Sequence, residues 1–102
     1  MSTAPRAVAS VQVDNERVRV TEWRFAPGAE TGEHIHALDY AVVPLSDGRL
    51  KIVSPQGEET FADLKRGASY FRKAGVHHNV INANDFEYAF IEIEIKGEGT
   101  RR

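Results

Sequence analysis

The chain has 102 residues, a formal net charge of -2 and no cysteine. This length suits one domain with its own core, and the lack of cysteine excludes disulfides, thiolate metal sites and thiol nucleophiles. Interspersed charges of both signs leave no basic surface for nucleic acid or an anionic membrane. We therefore expect one domain over residues 1–102 that binds a small molecule and has neither nucleic acid nor membrane as a partner.

The beginning of the chain, MSTAPRAVASVQV, lacks a basic start followed by an apolar stretch and a cleavage site. No apolar run approaches the length of a membrane span. We therefore expect a cytoplasmic protein. Residues 1–10 and 97–102 are small or polar and carry no periodic pattern, so we expect them to be loosely held around a core of about residues 18–96.

Turn residues recur at short intervals, and the segments between them are rich in Val, Ile, Phe, Tyr and Thr. This pattern is typical of an all-β sandwich or barrel and not of alternating strands and helices. The first strong segment, RVRVTEWRF, has apolar residues at Val18 and Val20 and then changes parity at Trp23 and Phe25. The change predicts either a bulge or a strand buried on both faces.

The middle of the chain predicts hairpins. DYAVVPL and RLKIVS, joined by SDG, have the pattern of two paired strands, with Pro44 near an end or an edge because proline cannot donate a ladder hydrogen bond. EETFADL and ASYFRKA supply the next pair.

The last segment, FEYAFIEIEIK, has apolar residues on both parities, so we expect both of its faces to be covered. Together with the N-terminal AVASVQV it offers more apolar strand surface than the interior of a 102-residue barrel needs. A partner subunit is the simplest cover for such surface, so we expect a homodimer.

Two histidines one residue apart, His34 and His36, fall in a segment with strand character. Side chains alternate along a strand, so both imidazoles would lie on one face at a separation suited to a metal ion. Downstream, Gly75 permits a sharp turn before His77 and His78, which would bring a third imidazole opposite the first two. A lone histidine is more often a surface or core residue, whereas this arrangement favours a metal site.

These two segments resemble the two motifs of the cupin superfamily. Four residues match the first motif: Gly28, His34, His36 and Gly48. Four match the second: Gly67, Gly75, His78 and Asn82. The resemblance implies a double-stranded β-helix, a jelly-roll-like small barrel, with a metal held by His34, His36 and His78 and with His77 as a neighbour. Asn82 would fix the turn after the strand of His78.

The sequence departs from the first motif at its glutamate, which is usually the fourth protein ligand of the metal. That position falls on Ala41 or Tyr40, depending on the spacing used. Asp39 is the nearest carboxylate, but on a regular strand it reaches the site only if the backbone bends. Asp39, Tyr40 and water therefore remain as alternatives for the fourth position. Lys73 stands where the second motif has its proline, so we expect the turn to be less rigid in this chain.

Three neutral imidazoles suit a divalent ion of Zn, Fe, Ni or Cu and leave a coordination position open. Within the superfamily, the chain looks like the small single-domain cupins associated with β-alanine degradation. The name of that subgroup does not itself specify a reaction. The first functional class that the site leaves open is a metal-dependent oxygenase, isomerase or hydrolase that acts on a small polar metabolite, for example one from amino-acid catabolism. The alternatives are a non-catalytic cupin that binds or senses a ligand and a degenerate cupin without metal.

Four further polar side chains are candidates for the pocket: Arg24, Tyr40, Arg72 and Glu92. An arginine inside the barrel would form a fork for a substrate carboxylate. Glu92 and Glu94 share parity with Phe90, so one of them could face the same interior. The alternative is that the arginines and glutamates are ordinary solvated positions, and that Tyr40 packs with a hydroxyl contact.

Overall fold

The computed structural model describes residues 4–97, which form nine strands and no α-helix. The strands are β1 Val8–Asp14, β2 Val18–Phe25, β3 His34–Ile35, β4 Asp39–Pro44, β5 Gly48–Val53, β6 Glu59–Leu64, β7 Tyr70–Arg72, β8 His77–Asn82 and β9 Tyr88–Ile95. They make a five-stranded sheet in the order β1-β2-β9-β4-β7 and a four-stranded sheet in the order β3-β8-β5-β6. All paired strands are antiparallel. The predicted all-β class is confirmed.

The two predicted middle hairpins are wrong. β4 pairs with β9 and β7, whereas β5 pairs with β6 and β8, so the turn between β4 and β5 carries the chain from one sheet to the other. β6 and β7 also belong to different sheets. The local hairpins are β1–β2 and β5–β6. Pro44 ends β4, as predicted, so its missing N–H costs no central ladder bond.

The parity change in β2 comes from burial on both faces. β2 pairs with β9 over all eight residues without a shift in register. The one irregularity on this side of the sheet is in β1, between Val11 and Val13. Trp23 and Phe25 therefore face the interior, whereas Val18 and Val20 lie on the outer face.

Inside the barrel, the strands change from apolar to polar along their length. On β9 the inward residues are Tyr88 and Phe90, followed by Glu92 and Glu94. The apolar half forms the core, whose buried members are Phe25, Ala29, Tyr40, Val42, Leu50, Leu64, Val80, Tyr88 and Phe90. The other half of the interior is left to polar side chains. Closing one end with a core leaves the other end open for a site.

Asn82 fixes the closed end. Its side chain is 2% exposed, and its Nδ2 donates to the backbone oxygens of Phe25, Ala26 and Phe86. Its Oδ1 accepts from the backbone N–H of Asn84 at 2.8 Å. The prediction that Asn82 stabilises the turn after β8 is confirmed, because this one buried side chain bonds four backbone groups around that end of the barrel.

The outer face of the five-stranded sheet carries an apolar patch on β9 and β4, with Glu22 and Arg24 of β2 on the same face. β9 contributes Ile91, Ile93 and Ile95, and the paired positions on β4 are Val43, Ala41 and Asp39. Ile91 and Ile93 are half-buried, and Ile95 is 37% exposed. We expected both faces of β9 to be covered, and within one chain the outer face is only partly covered.

The ends of the chain complete the description. Residues 1–10 were expected to be loosely held, but β1 already begins at Val8. The rest of that expectation concerns residues 1–3 and 98–102, which lie outside the described residues. Within residues 4–97, no helix has the length and apolar character required to cross a bilayer.

Candidate metal centre

The backbone around Gly75 brings the histidines together. Gly75 adopts a φ of 105°, a conformation that disfavours any residue with a side chain. Its N–H donates to the carbonyl of His36 at 2.8 Å, and the N–H of His36 donates to the carbonyl of Val76 at 2.8 Å. This turn sets the start of β8, so that His78 lies directly opposite His34 in the β3–β8 pair.

The three imidazoles converge through their Nε2 atoms. His34 Nε2 lies 3.1 Å from His36 Nε2, which lies 3.2 Å from His78 Nε2. Two nitrogen ligands about 2.0–2.1 Å from one ion are separated by about 3.0–3.4 Å when their bonds to it meet at right-angled to tetrahedral angles. The observed spacing therefore fits one divalent ion bound by all three residues.

The protonation of the site also fits a metal. His34 Nδ1 lies 2.7 Å from the carbonyl oxygen of Gly32, so Nδ1 carries the proton and donates it, and Nε2 presents a lone pair. Burial, together with the neighbouring His34, lowers the pKa of both His36 and His78 to about 4. Both rings are therefore neutral at pH 7, the form that binds metal.

No carboxylate joins the three histidines in the described part of the chain. Asp39 points to the outer face, where its Oδ1 accepts the backbone N–H of Ala74 at 2.8 Å. Tyr40 faces inward and stacks on the ring of His36, with centroids 3.9 Å apart. Of Asp39 and Tyr40, the two side chains considered for the fourth coordination position, only Tyr40 therefore contacts the site, and it does so through the face of its ring.

His77 lies on the opposite face of β8. It pairs with Ile35 in the β3–β8 ladder, and its Nε2 is 2.6 Å from Glu33 Oε2. The structure thus places His78 with His34 and His36, and His77 at the surface.

Two cavities approach the histidines from different sides. We call the first the acidic cavity: it measures about 420 Å³ and includes Asp14, Arg19, His34, His36, Glu92 and Glu94 in its lining. We call the second the arginine cavity: it measures about 460 Å³ and includes Tyr40, Ile52, Phe61, Tyr70, Arg72 and His78 in its lining. A metal at the three histidines would therefore be reachable from both.

The predicted pocket residues divide between these cavities and the surface. Tyr40 and Arg72 line the arginine cavity, and Glu92 lines the acidic cavity. Arg24 lines neither, because its position in β2 places it on the outer face, where it pairs with Glu22 at 2.6 Å and Glu87 at 3.1 Å.

Sequence reasoning missed Arg19, which faces the acidic cavity and binds Glu94 with 2.7 Å between Nε and Oε1. The signal that could have found it is parity, because Arg19 shares the inward face of β2 with Trp23 and Phe25. The alternation at Val18 and Val20 pointed to the other face.

Glu92 connects the cavity wall to the site. It is 8% exposed, its Oε1 accepts the indole N–H of Trp23 at 3.2 Å, and its Oε2 lies 3.8 Å from His36 Nδ1. Burial raises the pKa of this carboxyl. It lies on the Nδ1 side of His36, away from the converging Nε2 atoms, at a distance too long for a hydrogen bond.

Comparisons with known proteins agree with this fold. A crystal structure of a cupin domain from Bordetella pertussis superposes with a TM-score of 0.90 and 54% identity, covering 95% of this chain and 100% of that chain. A double-stranded β-helix protein from Klebsiella pneumoniae matches the fold at a TM-score of 0.73 and 22% identity, over 96% and 84% of the two chains. No protein-family model matches the chain.

The chain therefore belongs to the cupin superfamily, and its fold is the double-stranded β-helix. Within that superfamily it is similar to the β-alanine degradation protein BauB of Pseudomonas aeruginosa, with 62% identity over 96 residues. The match covers 94% of this chain and 100% of that protein. The predicted resemblance to the small cupins associated with β-alanine degradation is confirmed.

Proposed function

We propose that this protein is a metal-dependent cupin enzyme that converts a small polar metabolite, with the metal held by His34, His36 and His78. The observation that carries the proposal is the convergence of the three Nε2 atoms at 3.1 and 3.2 Å next to two cavities. Three imidazoles without a carboxylate leave at least one coordination position for water or substrate. Such an open position distinguishes a catalytic metal site from a structural one.

The donor set fits Zn, Fe, Ni or Cu. A bound ion would supply a Lewis acid that activates water or polarises a carbonyl group or, as ferrous iron, a centre that reacts with dioxygen. The chain itself fixes the imidazoles: the carbonyl of Gly32 holds His34, the ring of Tyr40 supports His36, and the turn at Gly75 positions His78. The apolar core closes the opposite end of the barrel.

The similarity to BauB supports a metabolite class. A relative with 62% identity across its whole length carries a name that refers to β-alanine degradation. We therefore infer a role for this chain in amino-acid catabolism, with β-alanine or a compound derived from it as the first substrate to test. Such a role is consistent with a cytoplasmic location.

The test distinguishes the three functional alternatives, which are a metal-dependent enzyme, a non-catalytic binding module and a degenerate cupin without metal. Metal-free protein is reconstituted with Zn²⁺, Fe²⁺, Ni²⁺ or Cu²⁺ one at a time, bound metal is measured after dialysis, and each form is incubated with β-alanine and related acids while products are followed by mass spectrometry. We expect one metal per chain and turnover by at least one form. Metal and ligand binding without turnover by any form would indicate a binding module, and failure to retain any of the four ions would indicate a degenerate cupin.

A further inference from the structure

Two arginines have inward positions on their strands near the histidines, but they differ in exposure and in partners: Arg19 is half-buried, and Arg72, on the edge strand β7, is exposed. Arg19, in the acidic cavity, is neutralised by Glu94 at 2.7 Å. Arg72, in the arginine cavity, forms no ion pair with any carboxylate in the described part of the chain. Its Nη1 donates to the carbonyl of Phe71 at 3.2 Å, and its guanidinium carbon lies 4.8 Å from the centroid of the Tyr70 ring. These two contacts leave the guanidinium other N–H groups with which to bind an anion.

The other charges around Arg72 do not cancel it. Asp63 also lines the arginine cavity, but Arg49 binds it through two contacts, of 2.7 and 3.3 Å. The acidic cavity, in contrast, has three carboxylates in its lining: Asp14 pairs with Lys96 and Glu94 pairs with Arg19, whereas Glu92 has no arginine or lysine partner in the described part of the chain. An anion would therefore meet an arginine without an ion pair on one side of the histidines and a carboxylate without a basic partner on the other.

We propose that the arginine cavity binds a small carboxylic acid, with Arg72 as the fork for its carboxylate and with the remainder of the molecule directed towards His78. A guanidinium recognises a carboxylate in a planar, two-point geometry, and stacking on the Tyr70 ring orients it. Ile52, Phe61 and Val76 in the same lining suit a short apolar chain. The part of this inference that concerns the metal rests on the proposed function, whereas the carboxylate site does not.

The shared lining supports this orientation. His78 and Arg72 face one cavity of about 460 Å³, a volume suited to a small metabolite. A carboxylate bound at Arg72 would therefore share this cavity with His78.

Calorimetry with propionate tests the site in zinc-loaded protein and in metal-free protein. We expect propionate to bind the wild-type protein and Arg72→Gln to weaken that binding by about 10- to 100-fold, the range for losing hydrogen bonds to a charged group. Arg72→Lys, which keeps the charge but loses the fork, should fall between them. Arg24→Gln on the outer face is the matched control and should bind like the wild type.

Arg19→Gln tests the acidic cavity. This substitution leaves Glu94 without its partner, so the double variant Arg19→Gln/Glu94→Gln removes that carboxylate as well. Both should retain propionate binding. Loss in both while Arg72→Gln binds normally would overturn the proposal, as would the absence of propionate binding to the wild type or equal binding of n-propylamine.

Metal binding is measured separately for each variant by competition with a chromophoric chelator. Failure of the histidines to bind metal would overturn the proposed function alone, because propionate binding to metal-free protein that depends on Arg72 would still support the carboxylate site.

Discussion

The ring of Tyr40 lies against the imidazole of His36, with centroids 3.9 Å apart and planes inclined by 17°. Tyr40 is 3% exposed and occupies a position where the cupin motif places its glutamate. Burial raises the pKa of its hydroxyl to about 12, so the side chain is a neutral phenol at pH 7. In this chain a packed aromatic ring therefore lies against a candidate metal ligand at a position where the cupin motif has its glutamate.

Replacing Tyr40 tests this support. We expect Tyr40→Ala to weaken metal binding by about 3- to 10-fold, because an aromatic pair contributes about 0.5–1.5 kcal/mol beyond its buried area. Tyr40→Phe keeps the stacked ring and should bind metal like the wild type, as measured by competition with a chelator. A loss of affinity in Tyr40→Phe as large as that in Tyr40→Ala would show that the hydroxyl, and not the ring, is required.

His78 and His77 provide a matched pair of substitutions. His78→Ala removes one of three ligands, so metal affinity should fall by more than the roughly 10- to 100-fold that an outer-shell substitution costs. His77→Ala removes only a surface contact with Glu33 and should retain the metal. Both variants should remain folded by circular dichroism, because the core at the closed end contains neither residue. Retention of metal by His78→Ala together with its loss in His77→Ala would contradict the site.

The metal-free protein should become less stable as the pH falls from 6.5 to 4. His36 and His78 have pKa values of about 4 in the folded chain against an ordinary 6.5. Within this window the unfolded chain binds more protons at these positions than the folded chain, so the free energy of unfolding decreases on acidification. The raised pKa of Glu92 acts in the opposite direction.

Urea denaturation at pH 7 and pH 5 measures this dependence. The double variant His36→Gln/His78→Gln is the control and should lose less stability between the two pH values than the wild type. Equal losses in the two proteins would mean that other groups cause the dependence.

We expect a homodimer formed through the outer face of the five-stranded sheet. This face carries Val43, Ile91, Ile93 and Ile95. Identical apolar faces can cover each other around a twofold axis, so a second copy is the occupant that we predict.

Light scattering at micromolar concentrations measures the mass directly. Ile93→Lys places a charge at this face and should give a monomer, whereas Glu58→Lys in the exposed turn between β5 and β6 should remain a dimer. A monomeric mass for the wild type would remove this prediction.

The cluster of three histidines was predictable from the sequence because its members are tied to short, local patterns. His34 and His36 share a strand face by simple alternation, and the positive φ of Gly75 confirms the turn that was expected before His78. The pairing of strands was not predictable in the same way. β4 and β5 are joined by a typical hairpin turn, yet their partners come from distant parts of the chain, and no local signal encodes that choice.

The wall of the site was only partly predictable. The sequence analysis predicted Arg24 in the pocket and missed Arg19, because β2 has apolar residues on both faces. The alternation at Val18 and Val20 could therefore indicate an inner face, although these two residues lie on the outer one. Asp63 lines the same cavity as Arg72 and is bound by Arg49, a contact between β5 and β6 that sequence spacing does not specify.

Trp23 is the single tryptophan of the chain and lines the acidic cavity. Its indole N–H reaches Glu92 at 3.2 Å, and the other oxygen of Glu92 lies 3.8 Å from His36. All indole fluorescence of the native protein therefore originates at one position, two contacts from a metal-site imidazole. A quenching ion such as Cu²⁺ at the histidines, or any movement of Glu92, would change that emission. The tryptophan fluorescence of the unmodified protein would therefore report both metal binding and movement of Glu92.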